Sequence, residues 1–95
     1  MPSFKIHLME SITYLAGKTE LDVQAEEGVT LADLFKEVGR EYGESMKNKF
    51  IAPDGDFQPY ILISVNGTDA RGMDGINTRL NEGDEVLLAL LVTGG

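Results

Sequence analysis

EVLLALLVTGG, residues 85–95, is the stretch whose placement decides the fold. After Glu85, the run from Val86 to Val92 holds only apolar side chains and no glycine or proline. A run of that length reads as a β-strand, and apolar residues on both of its faces belong to a central strand covered on both sides or to one with a partner-binding outer face. Alternation assigns the faces. If Val86 and Leu88 point at a helix, then Leu87, Ala89 and Leu91 point away from it. A central strand also needs a neighbour on each side, and the rest of the chain must supply them.

Two alternating runs lie near the start. In SFKIHLME, Phe4, Ile6 and Leu8 share one face, and Lys5, His7 and Met9 the other. In KTELDVQA, Leu21, Val23 and Ala25 share a face. The intervening SITYLAG, with a glycine suited to a turn at Gly17, is expected to be a short hairpin loop. The first strand must accept the last as its other neighbour, because an open hairpin edge invites aggregation.

The period then changes. In TLADLFKEVGREYG, Leu31, Leu34, Phe35, Val38 and Tyr42 fall on one helical stripe. Thr30 is a suitable N-cap, with Asp33 placed as in a capping box, and Gly43 is placed to stop the helix. Gly39 inside the helix costs about 1 kcal/mol relative to Ala, which points to close packing. Residues 44–59 read as irregular, with a Pro53-Asp54-Gly55 turn. YILISV is a strand with Ile61, Ile63 and Val65 on its buried face, so Tyr60 and Leu62 join the outward set. Asn66-Gly67 is a strong hairpin signal, and a short strand over Thr68–Arg71 should follow. The order β-β-α-β-β-β implies an α+β fold, with one main helix covering one face of a mixed four- to five-stranded sheet.

Length and composition bound the rest. Ninety-five residues make one domain, here residues 1–95. The net charge of −8 argues against nucleic acid, whose phosphates need clustered Lys and Arg, and suits solubility and steering toward basic clefts. With no cysteine, the chain makes no disulfide, thiolate metal site or thiol nucleophile of its own. No signal-peptide pattern, membrane-length apolar run or lipidation cysteine is visible, so a cytoplasmic protein without membrane attachment is expected.

Catalytic groups are sparse. His7 falls at an outward strand position and reads as a surface histidine. Asp54-Gly55-Asp56 lacks the further ligands of a calcium loop and reads as a solvated turn. Asp84 and Glu85, adjacent on a strand, would point to opposite faces. Neither glycine-rich phosphate motif occurs, so no catalytic constellation, metal site or bound cofactor is expected. The tail is different. Glycine has no Cβ, so Gly94-Gly95 is the thinnest peptide available and can thread a narrow channel. Extended, Thr93 to Gly95 would reach roughly 10 Å beyond the strand, as a flexible arm.

VNG at 65–67, LNEGDEV at 80–86 and the apolar strand ending VTGG at 92–95 together resemble the MoaD/ThiS family of ubiquitin-like sulfur carriers. The resemblance spans nearly the whole chain and includes molybdopterin-synthase small subunits and archaeal MoaD-like small modifiers. It implies the β-grasp, or ubiquitin roll. It also implies that a ubiquitin-activating-type partner uses MgATP to adenylate the Gly95 carboxylate, which sulfur converts to a thiocarboxylate. Gly94 and Thr93 supply the slim approach. The sulfur could pass to a pterin or thiazole precursor or to tRNA, first of all in molybdopterin (molybdenum or tungsten cofactor) synthesis, with the synthase large subunit as a second partner. The same activated carboxyl could instead form an isopeptide bond to a lysine of another protein. A third reading is a β-grasp binding module with an incidental tail. Molybdopterin-synthase carriers have aromatic and proline residues before the final glycines; here Leu88, Ala89, Leu90 and Leu91 stand there, leaving φ less constrained. The partner interface is expected on Leu87, Ala89, Leu91, Tyr60 and Leu62.

Overall fold

The computed structural model describes residues 2–91. Its elements are β1 Ser3–Leu8, α1 Glu10–Ala16, β2 Glu20–Gln24, α2 Leu31–Tyr42, α3 Glu44–Asn48, β3 Ile61–Val65, β4 Thr68–Asp69 and β5 Val86–Leu90. The five strands form one sheet in the order β2-β1-β5-β3-β4. β5 is central, as its composition requires. It runs parallel to β1, with Ile6 opposite Val86, and antiparallel to β3, with Ile63 opposite Leu88.

One face of the sheet supplies the core. Phe4, Ile6, Leu8, Leu21, Val23, Ile61, Ile63, Val86 and Leu88 are buried there against Leu31, Leu34, Phe35 and Val38 of α2. Burying each such side chain contributes roughly 1.5–3 kcal/mol before conformational entropy is charged against it. The Thr30 hydroxyl caps α2 by accepting from the Asp33 amide at 3.2 Å. The Asp33 carboxylate turns to Lys36, 3.6 Å away, rather than back to the cap. Gly43, at φ 101°, ends the helix. Gly39 is indeed closely packed: a Cβ there would lie 3.2 Å from Glu44 Oε1 and from Lys47 Cδ, both on α3.

Three expectations need correction. The connection between β1 and β2 is not a short hairpin loop but the helix α1, although the two strands do pair antiparallel. Its inward residue Ile12 is wholly buried, and Gly17, at φ 69°, closes it by donating to Thr13 O. Residues 44–59 are ordered as α3 and a tight turn closed by an Ile51–Phe57 bridge. Phe50, Ile51 and Phe57 extend the core, and the Phe35 ring stands 6.1 Å from Phe50 and 6.4 Å, edge-on, from Phe57. The strand after the hairpin ends at Asp69 rather than Arg71. Ala70 is buried there, and the Asp69 carboxylate accepts from the Arg71 amide, turning the chain into a 3-10 segment.

Candidate functional site

The site is built on the two strands that carry the chain toward its end. Alternation holds along β5: Val86 and Leu88 are fully buried, while Leu87 and Ala89 are half-buried on the opposite face. Leu91, just past the strand, is 48% exposed. On β3, Leu62 sits directly opposite Ala89, and Ser64 opposite Leu87, so the outward apolar groups form one continuous stripe. Tyr60 stands 42% exposed at the head of β3, its hydroxyl donating to Lys49 O at 2.9 Å.

The two halves of this sheet face differ in character. Across β1 and β2 it is charged. Lys5 Nζ lies 3.8 Å from Glu20 and 3.9 Å from Asp22, and His7 Nδ1 lies 3.5 Å from Glu20. These half-exposed pairs are weak individually and mainly keep that half hydrated. His7 is therefore part of a surface ladder. The β5–β3 half carries only Leu, Ala and Ser, with Tyr60 at its head.

Backbone hydrogen bonds fix where β5 ends. β1 stops at Leu8, and the start of α1 takes over its edge. The Met9 amide donates to Leu88 O at 2.9 Å, and the Leu90 amide donates to Ser11 Oγ at 3.3 Å. On the other side, the Leu91 amide donates to Tyr60 O at 2.8 Å. Arg71 braces the head of β3 by donating to the carbonyls of Ile61 and, at 2.9 Å, Gln58. Its guanidinium lies over the Phe57 ring, 5.5 Å from the centroid. Thr93, Gly94 and Gly95 lie outside the described residues.

At the opposite end of β5, the two sequence motifs are tied into one clamp. Asn66 and Gly67 have positive φ of 53° and 85°, the requirement of a type I′ hairpin. The Asn66 side chain donates to Asp84 Oδ1 at 3.0 Å and accepts the Glu85 amide at 2.9 Å. The Asn66 amide donates to Glu85 O, and Asp84 Oδ2 accepts the Asn81 amide, both at 2.8 Å. Asp84 and Glu85 thus precede the strand rather than lie on it, and Asp84 works as a turn clamp. Asp54 and Asp56 likewise accept backbone amides of their own turn, at 3.0 and 2.8 Å. On α2, the Arg40 pKa is raised by its hydrogen bond to Glu37 and then by that carboxylate's charge. Arginine being cationic throughout the ordinary range, this does not change its state.

A model of the ThiS family matches residues 6–95, from the middle of β1 through the glycines. The chain belongs to the ThiS family. This ThiS-family protein is 31% identical over 93 residues to a protein of Archaeoglobus fulgidus described as a sulfur carrier, with 98% of this chain and 99% of the relative covered. It is 26% identical over 81 residues to small archaeal modifier protein 3 of Haloferax volcanii, covering 85% and 86% of the two chains. The crystal structure of SAMP1 from Haloferax volcanii superposes with a TM-score of 0.77 at 22% identity, covering 98% of this chain and 99% of that one. The fold is accordingly the ubiquitin-like β-grasp. Its relatives are a carrier and a modifier protein by name, and the ThiS-family chain is likewise not itself a catalyst. No helix among the described residues is long and apolar enough to cross a membrane.

What the sequence reading missed at the site is α1. ESITYLA carries no capping side chain, since Met9 stands at the N-cap. The available signals were Glu10 in the first turn, Ile12 and Ala16 four residues apart, and the closing Gly17.

Proposed function

We propose that this protein is a sulfur carrier working through the carboxylate of Gly95. The observation that carries the reading is the placement of the apolar β5–β3 stripe: it belongs to the same strand that leads to the terminal glycines of a ThiS-family chain. A ubiquitin-activating-type enzyme docks on Leu87, Ala89, Leu91, Tyr60 and Leu62. The Gly95 carboxylate attacks the α-phosphorus of MgATP and releases pyrophosphate. Hydrosulfide, the sulfur source at the sulfide level, then attacks the acyl carbon and displaces AMP, leaving the thiocarboxylate with no change of oxidation state. That group is soft and nucleophilic, and donates sulfur to a pterin precursor held by a molybdopterin-synthase large subunit in molybdenum or tungsten cofactor synthesis. MgATP is the partner's substrate, and the carrier needs no cofactor of its own.

A second reading is supported by the likeness to small archaeal modifier protein 3. Here the same acyl-adenylate passes to the amine of a target lysine. Incubation with the organism's adenylating enzyme, MgATP and a sulfur source, followed by intact mass measurement, separates the two. An oxygen-to-sulfur mass change supports the carrier; lysine-linked conjugates in lysate without that change support the modifier. Leu87→Glu and Leu91→Glu chains that fold normally and are still adenylated at the wild-type rate would remove the stripe as the docking face.

A further inference from the structure

Five large apolar side chains stand exposed among the described residues, and four of them belong to the elements that meet where β5 ends: Met9, Tyr14, Tyr60 and Leu91. Tyr60 and Leu91 are part of the sheet stripe. Met9 and Tyr14 belong to α1 and its N-cap, and Tyr14 is the most exposed of all, at 73%. It is not on a loose element. Ile12 anchors α1 in the core, Gly17 closes it, and Ser11 Oγ accepts the Leu90 amide. Tyr14 follows Ser11 by three residues, so it shares the helix face that touches the end of β5. A tyrosine on an anchored helix offers large contact area at low side-chain entropy cost, and Tyr is enriched among residues that dominate binding energy.

Charge points to what meets this face. The net charge is −8, yet residues 11–17, 57–68 and 87–91, which supply most of the exit, contain no charged side chain. Glu10 is the one carboxylate on α1. Cations at this end are Lys18 just after α1, Lys49, whose carbonyl receives the Tyr60 hydroxyl, and Arg71 at the head of β3, and the carboxylate of Glu20, at the start of β2, is paired there with His7. Carboxylates collect at the other end of the sheet, where Glu26 and Glu27 follow β2 and Glu82, Asp84 and Glu85 precede β5. The molecule therefore presents its least anionic end where the chain leaves it. Four residues beyond Leu91 span at most roughly 13–14 Å, so whatever reacts with Gly95 must cover this end closely. Carboxylates that the partner's triphosphate site approaches within a Debye length, about 8 Å at physiological salt, would be repelled, while those at the far end of the sheet are screened.

We propose that α1 is a second wall of the docking surface, with Tyr14 and Met9 seated on an apolar, uncharged shelf beside the mouth of the partner's triphosphate site. The proposal rests on the Gly95 reading and goes beyond it by assigning a contact outside the sheet. The test is carrier-dependent ATP–pyrophosphate exchange by the organism's adenylating enzyme, run with wild type, Tyr14→Glu, Tyr14→Phe, Leu91→Glu and, as a control on the outer face of α2, Lys36→Ala. Tyr14→Glu should raise the KM for the carrier by about tenfold or more, leaving kcat and the melting temperature unchanged. Tyr14→Phe and Lys36→Ala should match wild type. A wild-type KM for Tyr14→Glu alongside a raised KM for Leu91→Glu overturns the α1 wall and leaves the sheet stripe standing. A Tyr14-dependent dimer in sedimentation, with exchange unaffected, also overturns it, because the side chain would then serve a second copy of this chain. Absence of exchange with wild type removes the Gly95 reading, and this proposal with it.

Discussion

Replacing Asn66 by Ala should be among the more damaging changes available on the surface of this protein. The side chain makes two hydrogen bonds, to Asp84 Oδ1 at 3.0 Å and from the Glu85 amide at 2.9 Å. Both lie in exposed surroundings, so each contributes about 0.5–1 kcal/mol net. Asn66 also sits at φ 53°, a conformation that costs an ordinary L residue about 1–2 kcal/mol and Asn less. The sum is a loss of about 2–3 kcal/mol for Asn66→Ala. Asn66→Gly relieves the backbone cost but loses the same hydrogen bonds and adds freedom to the unfolded chain, so it should lose about 1 kcal/mol less than Ala. Urea unfolding followed by circular dichroism reads both, as a shift in midpoint at constant slope. For a chain of this size, the Ala variant should melt roughly 10–15 °C lower. The reasoning is wrong if Asn66→Ala loses less than about 0.5 kcal/mol, or if Gly is as destabilising as Ala. The stakes extend beyond stability. The clamp sets the register of β5 against β3, and a slip of one residue would turn Leu87 and Ala89 inward and withdraw the end of the chain by about 3.4 Å.

Two further substitutions test the packing. Leu88→Ala opens a cavity between Leu8 and Ile63 and should cost about 3 kcal/mol in urea unfolding, whereas Leu87→Ala, one residue away on the half-buried face, should cost under about 1 kcal/mol. Gly39→Ala should raise stability by a few tenths of a kcal/mol in the same assay. It gains about 1 kcal/mol of helix propensity, and the atoms it crowds at 3.2 Å are side-chain atoms of Glu44 and Lys47 that can shift.

The parts of this fold that could be read from the sequence are those where burial imposes a period. Phe4-Ile6-Leu8, Leu21-Val23, Ile61-Ile63-Val65 and the Leu31-to-Tyr42 stripe each face one core, and each was legible. So was the outward face of β5, because a central strand with apolar groups at every position must cover something on both sides. α1 was not legible. Its seven residues bury Ile12 fully, too little to leave a period, and its N-cap is a methionine. Phe50, Ile51 and Phe57 enter the core from a helix end and a turn, where no repeat marks them. Asp84 and Glu85 look like strand residues by proximity, yet the Asn66 clamp holds them in the turn. Tyr14 as a contact residue needed the helix first: in a loop it would have been one more exposed aromatic.

The proposed function rests on the carboxylate of Gly95. The most direct measurement is ATP–pyrophosphate exchange by the adenylating enzyme, comparing the full chain with one ending at Gly94. The full chain should support exchange. The shortened chain should support none while melting at the same temperature, since a terminal residue beyond the last strand contributes little packing. Exchange at the wild-type rate by the shortened chain would show that Gly95 is not the activated residue and would contradict the carrier and modifier readings together.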